Sequence, residues 1–251
     1  MLINCDMGES YGAWEMGQDK EIMPFVDMAN IACGMHASDP SVMLRTVRYA
    51  KENGVSIGAH PGFPDLQGFG RRYIEMPTEE LKAYVIYQLG ALNGICQSEG
   101  VAISYVKPHG ALYNAMMKKD EIYIALLEVI ASYDINLPLT IMAVPDHLHY
   151  TTLAEQYGVK LIFEAFVDRT YLSDGRLTSR TQPGACHDDL AVICTQAMKL
   201  ISDQSVTSID GQEVKIKADT LCIHGDGKLA ADIAKTLRMS ITEYTESMKC
   251  K

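Results

Sequence analysis

The sequence contains no long hydrophobic run and no cluster of basic residues, and both absences narrow the functions open to it. No stretch of about 18 apolar residues occurs, so a membrane-spanning helix is not expected. The N-terminus runs from Met1 to polar Asn4 and charged Asp6, without the basic and then apolar segments of a signal peptide. A net charge of −10 disfavours nucleic acid, which is bound through clustered Lys and Arg. We therefore expect neither a membrane nor nucleic acid among its partners.

Cysteine pairs of the Cys-x-x-Cys type are also missing. The seven cysteines are an odd number, and Cys5, Cys33, Cys194 and Cys222 stand in apolar surroundings. Such usage is typical of a reduced compartment, so we expect a cytoplasmic protein.

The chain does have the size and composition of one large enzyme domain. Its 251 residues match the usual length of a parallel β/α barrel, with a hydrophobic fraction of 47% and a charged fraction of 22%. We predict a single domain over residues 1–251.

Seven short apolar segments have the β-branched and aromatic content of buried strands. They are Leu2–Cys5, Met28–Cys33, Val55–Ala59, Ile103–Val106, Leu139–Val144, Val159–Phe163 and Thr220–Ile223. Helical patterns separate most of them, and the clearest begin at Asp39-Pro40, Pro77 and His187-Asp188-Asp189. Two irregular stretches, 63–73 and 171–183, have the composition of loops that cover a site, and Val206–Ile216 is predicted to be an inserted hairpin.

Polar, titratable residues follow these strands where each strand is predicted to end. They are Asp6, His36, His60, Lys107 with His109, Asp146, Glu164 and His224. Alternating strands and helices close into a barrel or fan into a doubly wound sheet. Only in a barrel do all strand ends converge on one mouth, so the pattern favours a seven-stranded parallel β/α barrel with its site there.

Each residue alone also has a simpler structural interpretation. His36 and His60 could be turn histidines bonded to backbone, Asp6 and Asp226 could cap helices, and Glu164 could be a paired buried carboxylate. A polar residue at every strand end is better explained by one shared site.

The segments that carry these residues resemble the LamB/YcsF family. They are 4–10 (NCDMGES), 29–37 (ANIACGMHA), 57–62 (IGAHPG), 68–72 (GFGRR), 106–114 (VKPHGALYN) and 224–226 (HGD). Two positions depart from the family pattern: Ser38 stands where glycine is common, and Thr170 where a basic residue or glycine is frequent.

The resemblance implies a TIM-like barrel of the glycoside hydrolase/deacetylase type. It also implies that 5-oxo-L-proline is opened to L-glutamate with ATP hydrolysis, with the B and C subunits of 5-oxoprolinase as partners. Opening a lactam needs a nucleophile, a donor to the carbonyl oxygen and an acid for the leaving nitrogen. We predict five catalytic residues: Asp6 and Glu164 as bases, His60 and His109 as acid/base groups or carbonyl donors, and Lys107 as the oxyanion-stabilising charge.

The predicted substrate-binding residues surround this set. They are Glu9, Asn30, His36, Arg72, Asp168, Arg169, Arg180, His224 and Asp226, with Arg72, Arg169 or Arg180 as the fork for the substrate carboxylate. Replacing Asp6, His60 or Lys107 is expected to cut turnover by about a hundredfold or more and to leave melting nearly unchanged.

Two other functions remain compatible with the sequence. A metal-dependent, deacetylase-like hydrolase would suit the Asp/His residues of the mouth, but no His-x-x-x-His pair occurs and His147-x-His149 is spaced for opposite faces of a strand. We therefore predict no tightly bound metal. A non-catalytic regulatory component of lactam utilisation is the third possibility.

No P-loop for ATP is present. The nearest segment, 225–229 (GDGKL), has Leu229 at the hydroxyl position and Cys222 in place of the first glycine. We predict that ATP and its magnesium ion are handled with the partner subunits, and that the chain alone neither hydrolyses ATP nor opens 5-oxoproline.

Overall fold

In the computed structural model of the chain, which describes residues 1–225, 227 and 229–249, parallel strands close into a barrel. The strands are β1 (Leu2–Met7), β2 (Met28–Ala32), β3 (Ser56–His60), β4 (Ile103–Val106), β5 (Leu139–Met142), β6 (Leu161–Phe166), β7 (Ser205–Thr207), β8 (Glu213–Lys215) and β9 (Thr220–Ile223). The barrel order is β1-β2-β3-β4-β5-β6-β9, while β7 and β8 form a separate antiparallel pair. The predicted barrel of seven parallel strands is confirmed.

Helices surround the barrel and join its strands. They are α1 (Asp19–Ile22), α2 (Pro40–Asn53), α3 (Thr78–Ser98), α4 (Gly110–Met116), α5 (Asp120–Tyr133), α6 (Leu148–Gln156), α7 (Leu190–Asp203) and α8 (Ala230–Lys249), with a 3-10 turn at Met23–Phe25. Every residue of β2, β5 and β9 is buried, because helices cover the outer face and side chains fill the inner one. None of the described helices is long and apolar enough to cross a bilayer.

Local chemistry explains where α2 begins and ends. Asp39 Oδ1 accepts hydrogen bonds from the backbone amides of Ser41 and Val42, and Pro40 occupies the first turn. At the other end Gly54 has φ +67°, the left-handed conformation that terminates a helix without steric cost. The sequence prediction for this helix is confirmed.

The barrel closes between its first and last strands. Leu2 pairs with Thr220 and Cys5 with Ile223, while Glu164 of β6 pairs with the same Thr220 on the other side. β9 therefore joins the two ends of an otherwise continuous sheet.

Several boundaries differ from the sequence prediction. β1 and β6 continue through Asp6 and Glu164, so these carboxylates lie within strands instead of after them. A run of apolar residues indicates a strand, but the pattern cannot show that a carboxylate is tolerated inside it when a cation lies opposite. The hairpin is confirmed as β7 and β8.

Three helical segments were not predicted: α1, α4 and α6. They have four, seven and nine residues, and short helices leave little periodicity in the sequence. His149 lies on α6, with His147 just before it, so the strand spacing inferred for these histidines is wrong.

Candidate active site

A cavity of about 590 Å³ opens at the C-terminal ends of the barrel strands. Of the predicted site residues, it is lined by Asp6, Glu9, His60, Lys107, His109, Arg169, Arg180 and His224. The strand ends therefore do converge, as expected for a barrel of this kind.

Lys107 lies at the centre of the cavity floor, directly after β4. Its side-chain nitrogen donates to Asp6 Oδ1 at 2.9 Å, Asn4 Oδ1 at 3.1 Å and Cys222 Sγ at 3.1 Å. Glu164 Oε2 lies 3.0 Å from the same nitrogen. Burial alone would lower the pKa of Lys107, but Asp6, Cys222 and Glu164 raise it well above its ordinary value. Lys107 is therefore a charged ammonium whose protons point at protein acceptors.

Asp6 is ionised in this environment. Burial would raise its pKa, but the Lys107 ammonium and His60 outweigh burial and hold the pKa well below its ordinary value. Asn30 Nδ2 donates to Asp6 Oδ1 at 2.7 Å, and Tyr105 donates to Asn30 Oδ1 at 2.6 Å, which fixes that amide. Asp6 Oδ2 lies 3.5 Å from His60 Nε2. One carboxylate oxygen is thus bound to the floor, and the other faces the histidines.

His60 and His109 form a pair beside Asp6, and their tautomers follow from their neighbours. His60 Nδ1 lies 2.6 Å from the Lys107 carbonyl oxygen, and His109 Nε2 lies 2.8 Å from the Phe69 carbonyl oxygen. A carbonyl can only accept, so these two ring nitrogens must carry the protons. The remaining nitrogens, His60 Nε2 and His109 Nδ1, are 3.0 Å apart and present lone pairs when the rings are neutral. Burial is the main reason that the pKa of His109 is well below its ordinary value, which favours the neutral ring.

Glu9 and His36 complete this side of the floor. Glu9 Oε1 lies 3.6 Å from His109 Nδ1 and 3.5 Å from His36 Nε2. The His36 ring stacks on the His109 ring with centroids 3.7 Å apart and planes 2° from parallel. His36 is 1% exposed, and burial, with His109 and His60, lowers its pKa well below the ordinary value. His36 is therefore a neutral ring that packs behind His60 and His109.

Two glycines let the loops approach this closely. A Cβ on Gly110 would lie 2.6 Å from the Gly70 carbonyl oxygen, and one on Gly70 would lie 2.7 Å from the His36 Cβ. Both glycines have positive φ, +52° and +61°. The loop 62–73 and the start of α4 therefore meet through backbone, which holds Phe69 against His109.

On the opposite side of the cavity His224 is oriented by Asp168. His224 Nδ1 lies 2.8 Å from Asp168 Oδ2, and the ring stacks on Phe166 with centroids 5.6 Å apart. Burial would raise the pKa of Asp168, but the contact with His224 outweighs burial and lowers it, so Asp168 is an ionised carboxylate that accepts from the ring. Nε2 is the ring nitrogen that is left to contact a substrate.

Cationic side chains lie around the rim. Arg71, Lys118, Arg176 and Arg180 line the cavity and are exposed. Arg169 also reaches the cavity, but its guanidinium donates to the Ala185 and Thr178 carbonyls, so it holds the loop 171–183 in place. Anionic ligands are favoured at such a rim.

Some predicted residues lie elsewhere. Arg72 pairs with Asp65 and is not among the cavity-lining residues, so its neighbour Arg71 takes the predicted position. Asn30 lies beneath the floor, Asp146 is exposed and is not among the residues that line the cavity, and Asp226 is outside the described residues.

Sequence reasoning missed several members of the site. Asn4 and Cys222 hold Lys107, Tyr105 holds Asn30, and Arg176 lines the rim. Alternation along β1, where Asn4 and Asp6 are two residues apart and so share a face, could have revealed Asn4.

The family model of the LamB/YcsF family matches residues 1–250. The chain belongs to the LamB/YcsF family. The 5-oxoprolinase A subunit of Chromohalobacter salexigens is 49% identical over 237 residues, covering 94% of this chain and 95% of that one. That of Vibrio cholerae serotype O1 is 48% identical over 241 residues, covering 96% and 97%. The crystal structure of the lactam utilization protein from Thermus thermophilus superposes with a TM-score of 0.90 at 40% identity, covering 98% of this chain and 97% of that one. The fold described here is therefore that of a LamB/YcsF chain.

Proposed function

We propose that this LamB/YcsF chain opens 5-oxo-L-proline to L-glutamate as the A component of an ATP-dependent 5-oxoprolinase. The observation that carries the proposal is a single cavity with proton-accepting groups on its floor and cationic side chains at its rim. Near-full-length relatives that are named as the A subunit of 5-oxoprolinase support the choice of lactam.

The floor supplies the groups that activate water. Asp6 Oδ2 is an ionised carboxylate oxygen, and the neighbouring nitrogens of His60 and His109 present lone pairs. Each of them accepts a proton or a cation, and none donates to the substrate carbonyl while the rings are neutral. Of the roles predicted from the sequence, acid/base groups or carbonyl donors, we therefore propose for His60 and His109 the acid/base role, in which they accept a proton.

The rim supplies recognition and charge. Arg71, Arg176 and Arg180 can form charge-assisted hydrogen bonds with the carboxylate of 5-oxoproline. His224, oriented by Asp168, is our candidate for the acid that protonates the departing nitrogen. Lys107 and Glu164 hold Asp6 in position from below, and we assign them this positioning role in place of direct oxyanion binding and base catalysis.

We place ATP and its magnesium ion on B and C partner subunits, because the chain lacks a P-loop sequence. The purified chain is expected neither to hydrolyse ATP nor to form glutamate alone. Adding both partners with ATP is expected to give glutamate formation.

The same reconstitution separates a catalyst from a scaffold. Asp6→Asn removes an ionised acceptor and is expected to cut turnover of the assembled enzyme by about a hundredfold. Asp146→Asn, at an exposed carboxylate that does not line the cavity, is the matched control and should retain turnover. ATP-coupled glutamate formation by the isolated chain would refute the division of labour, and normal turnover of Asp6→Asn would refute the site.

A further inference from the structure

His60 Nε2 and His109 Nδ1 face each other in a way that two neutral imidazoles do not favour. The other ring nitrogen of each histidine donates its proton to a backbone carbonyl oxygen. When both rings are neutral, the two facing nitrogens therefore present lone pairs to each other at 3.0 Å. A cation between them removes this repulsion. Carboxylate oxygens lie beside both nitrogens, Glu9 Oε1 next to His109 Nδ1 and Asp6 Oδ2 next to His60 Nε2, and such oxygens are ligands that a metal ion can use.

The surrounding atoms form the rest of a ligand set. Glu9 Oε1 lies 3.6 Å from His109 Nδ1, and Asp6 Oδ2 lies 3.5 Å from His60 Nε2. Ligands at about 2.1 Å from one metal ion lie about 3.0 Å apart at right angles and about 3.4 Å apart in a tetrahedron. The separations of Glu9 Oε1 from His109 Nδ1 and of Asp6 Oδ2 from His60 Nε2 are both close to the tetrahedral value.

The outer contacts are also those of metal-binding histidines. Such a histidine donates its second ring N–H to a carbonyl or carboxylate, which fixes the tautomer and aims the lone pair. His60 donates in this way to the backbone carbonyl of Lys107, and His109 donates to that of Phe69. Their rings are 86° apart, so both planes can contain one ion at their intersection.

We propose that His60 Nε2, His109 Nδ1, Glu9 and Asp6 bind one divalent transition-metal ion on the cavity floor. Two imidazoles and two carboxylates suit Zn²⁺ among the common ions. All four residues line the cavity, so an ion bound by them would be accessible from the cavity, and a fifth position would be needed for water or a substrate oxygen. This proposal goes beyond the proposed function, and it replaces the sequence prediction of no tightly bound metal. The missing His-x-x-x-His motif is not decisive, because these ligands come from separate strand ends.

His36 is excluded from the set although it lies within reach. A metal ion lies near the plane of each imidazole that binds it, and the His36 plane is parallel to that of His109 at a centroid distance of 3.7 Å. His36 Nε2 instead lies 3.5 Å from Glu9 Oε1. The nearby group of Asp6, Cys222 and His224 is a weaker candidate, because the Lys107 ammonium already donates to Cys222 Sγ, and a thiol that binds a metal must present a free lone pair.

The test measures binding without turnover, so it is independent of the proposed reaction. Untagged chain in a Cys186→Ser background, which removes an exposed thiol, would be stripped with a chelator and titrated with Zn²⁺ by calorimetry. A parallel titration with Co²⁺ would be followed by visible absorption. We expect one equivalent to bind, with the absorption of a four- or five-coordinate site.

Variants then identify the ligands. His60→Ala and Glu9→Gln should each weaken Zn²⁺ binding by about a hundredfold or more, Glu9→Gln with little change of shape. His149→Gln, at an exposed histidine paired with Asp120, is the matched control and should leave binding unchanged. The proposal is overturned if the wild-type chain binds no stoichiometric metal, or if Glu9→Gln and His60→Ala both bind as tightly as the control. If His60→Ala does not fold, Glu9→Gln and the Co²⁺ spectrum decide.

Discussion

Lys107 is buried at 2% exposure between two carboxylates, so its contribution to stability is tied to its contribution to the site. From the sequence it could be taken as a strand-end lysine whose removal affects only turnover. In the structure the positive charge of its ammonium balances the negative charges of Asp6 and Glu164, which are also buried. A buried carboxylate without its cation costs several kcal/mol.

Lys107→Met is therefore expected to lower the free energy of unfolding by about 3–5 kcal/mol, contrary to the nearly unchanged melting expected from sequence. Urea denaturation followed by circular dichroism would measure it. The double variant Lys107→Met/Glu164→Gln should recover part of the loss, because it removes one uncompensated charge. A single variant as stable as the wild type would contradict the ion cluster.

Ser38 occupies a backbone conformation that favours glycine. Its φ is +75°, and it is the position at which the family pattern commonly has glycine. A residue with a Cβ costs about 1–2 kcal/mol in the left-handed region. Ser38 therefore keeps the left-handed turn at this position, but with backbone strain that glycine would not have.

Ser38→Gly is expected to raise the free energy of unfolding by up to about 1 kcal/mol, since added freedom of the unfolded chain offsets part of the relieved strain. Ser38→Ala keeps the Cβ and should give no such gain. Thermal or urea unfolding of both variants would decide, and equal stability of Ser38→Gly and Ser38→Ala would contradict the argument from φ.

At the scale of elements, the loop 62–73 turns adjacent arginines in different directions. Arg71 lines the cavity, with its guanidinium 4.9 Å from the centre of the Phe69 ring. Arg72 pairs with Asp65 of the same loop and lowers the pKa of that carboxyl. One arginine faces the substrate cavity, and the other stabilises the loop.

Arg71→Ala is expected to raise the KM for 5-oxoproline in the assembled enzyme by about 10- to 100-fold, the effect of losing a charged hydrogen bond. Arg72→Ala is the matched neighbour and should change KM far less. Steady-state kinetics with saturating partners and ATP would compare them. Equal KM increases for the two variants would show that Arg71 has no special contact with the substrate.

The elements that the sequence predicted well are those with strong local signals. The strand segments, the hairpin and α2 could be placed because apolar runs, the Asp210-Gly211 turn and the Asp39 cap act locally. The ends of β1 and β6 could not be placed, because Asp6 and Glu164 are accommodated in strands by Lys107, about a hundred residues from Asp6 in the chain. Long-range compensation leaves no periodicity to detect.

The same limit applies to the site. The sequence predicted that the strand ends converge, and the structure places five of the predicted residues in one cavity: Asp6, His60, Lys107, His109 and His224. Sequence could not distinguish Arg71 from Arg72, because that choice depends on which side of the loop faces Asp65. It also could not show that the protons of His60 and His109 point outward to carbonyls, which depends on folded backbone positions.

At the scale of the whole molecule, the cavity depends on the closed barrel. Its floor combines residues of β1, β3 and β9 with residues that follow β4, and β2 and β6 support them from beneath. No single segment contains the site. A local change that opens the barrel would therefore separate the acceptor groups from each other before it removed any of them.

The pairing of β9 with both β1 and β6 also sets the order in which the protein can be completed on the ribosome. β1 is synthesised first, and its partner on one side, β9, is more than two hundred residues later in the chain. Until then β1 and β6 each present an unpaired strand edge, the kind of surface that pairs with other chains. A chain truncated before Thr220 should therefore keep both strand edges exposed and be prone to association with other chains.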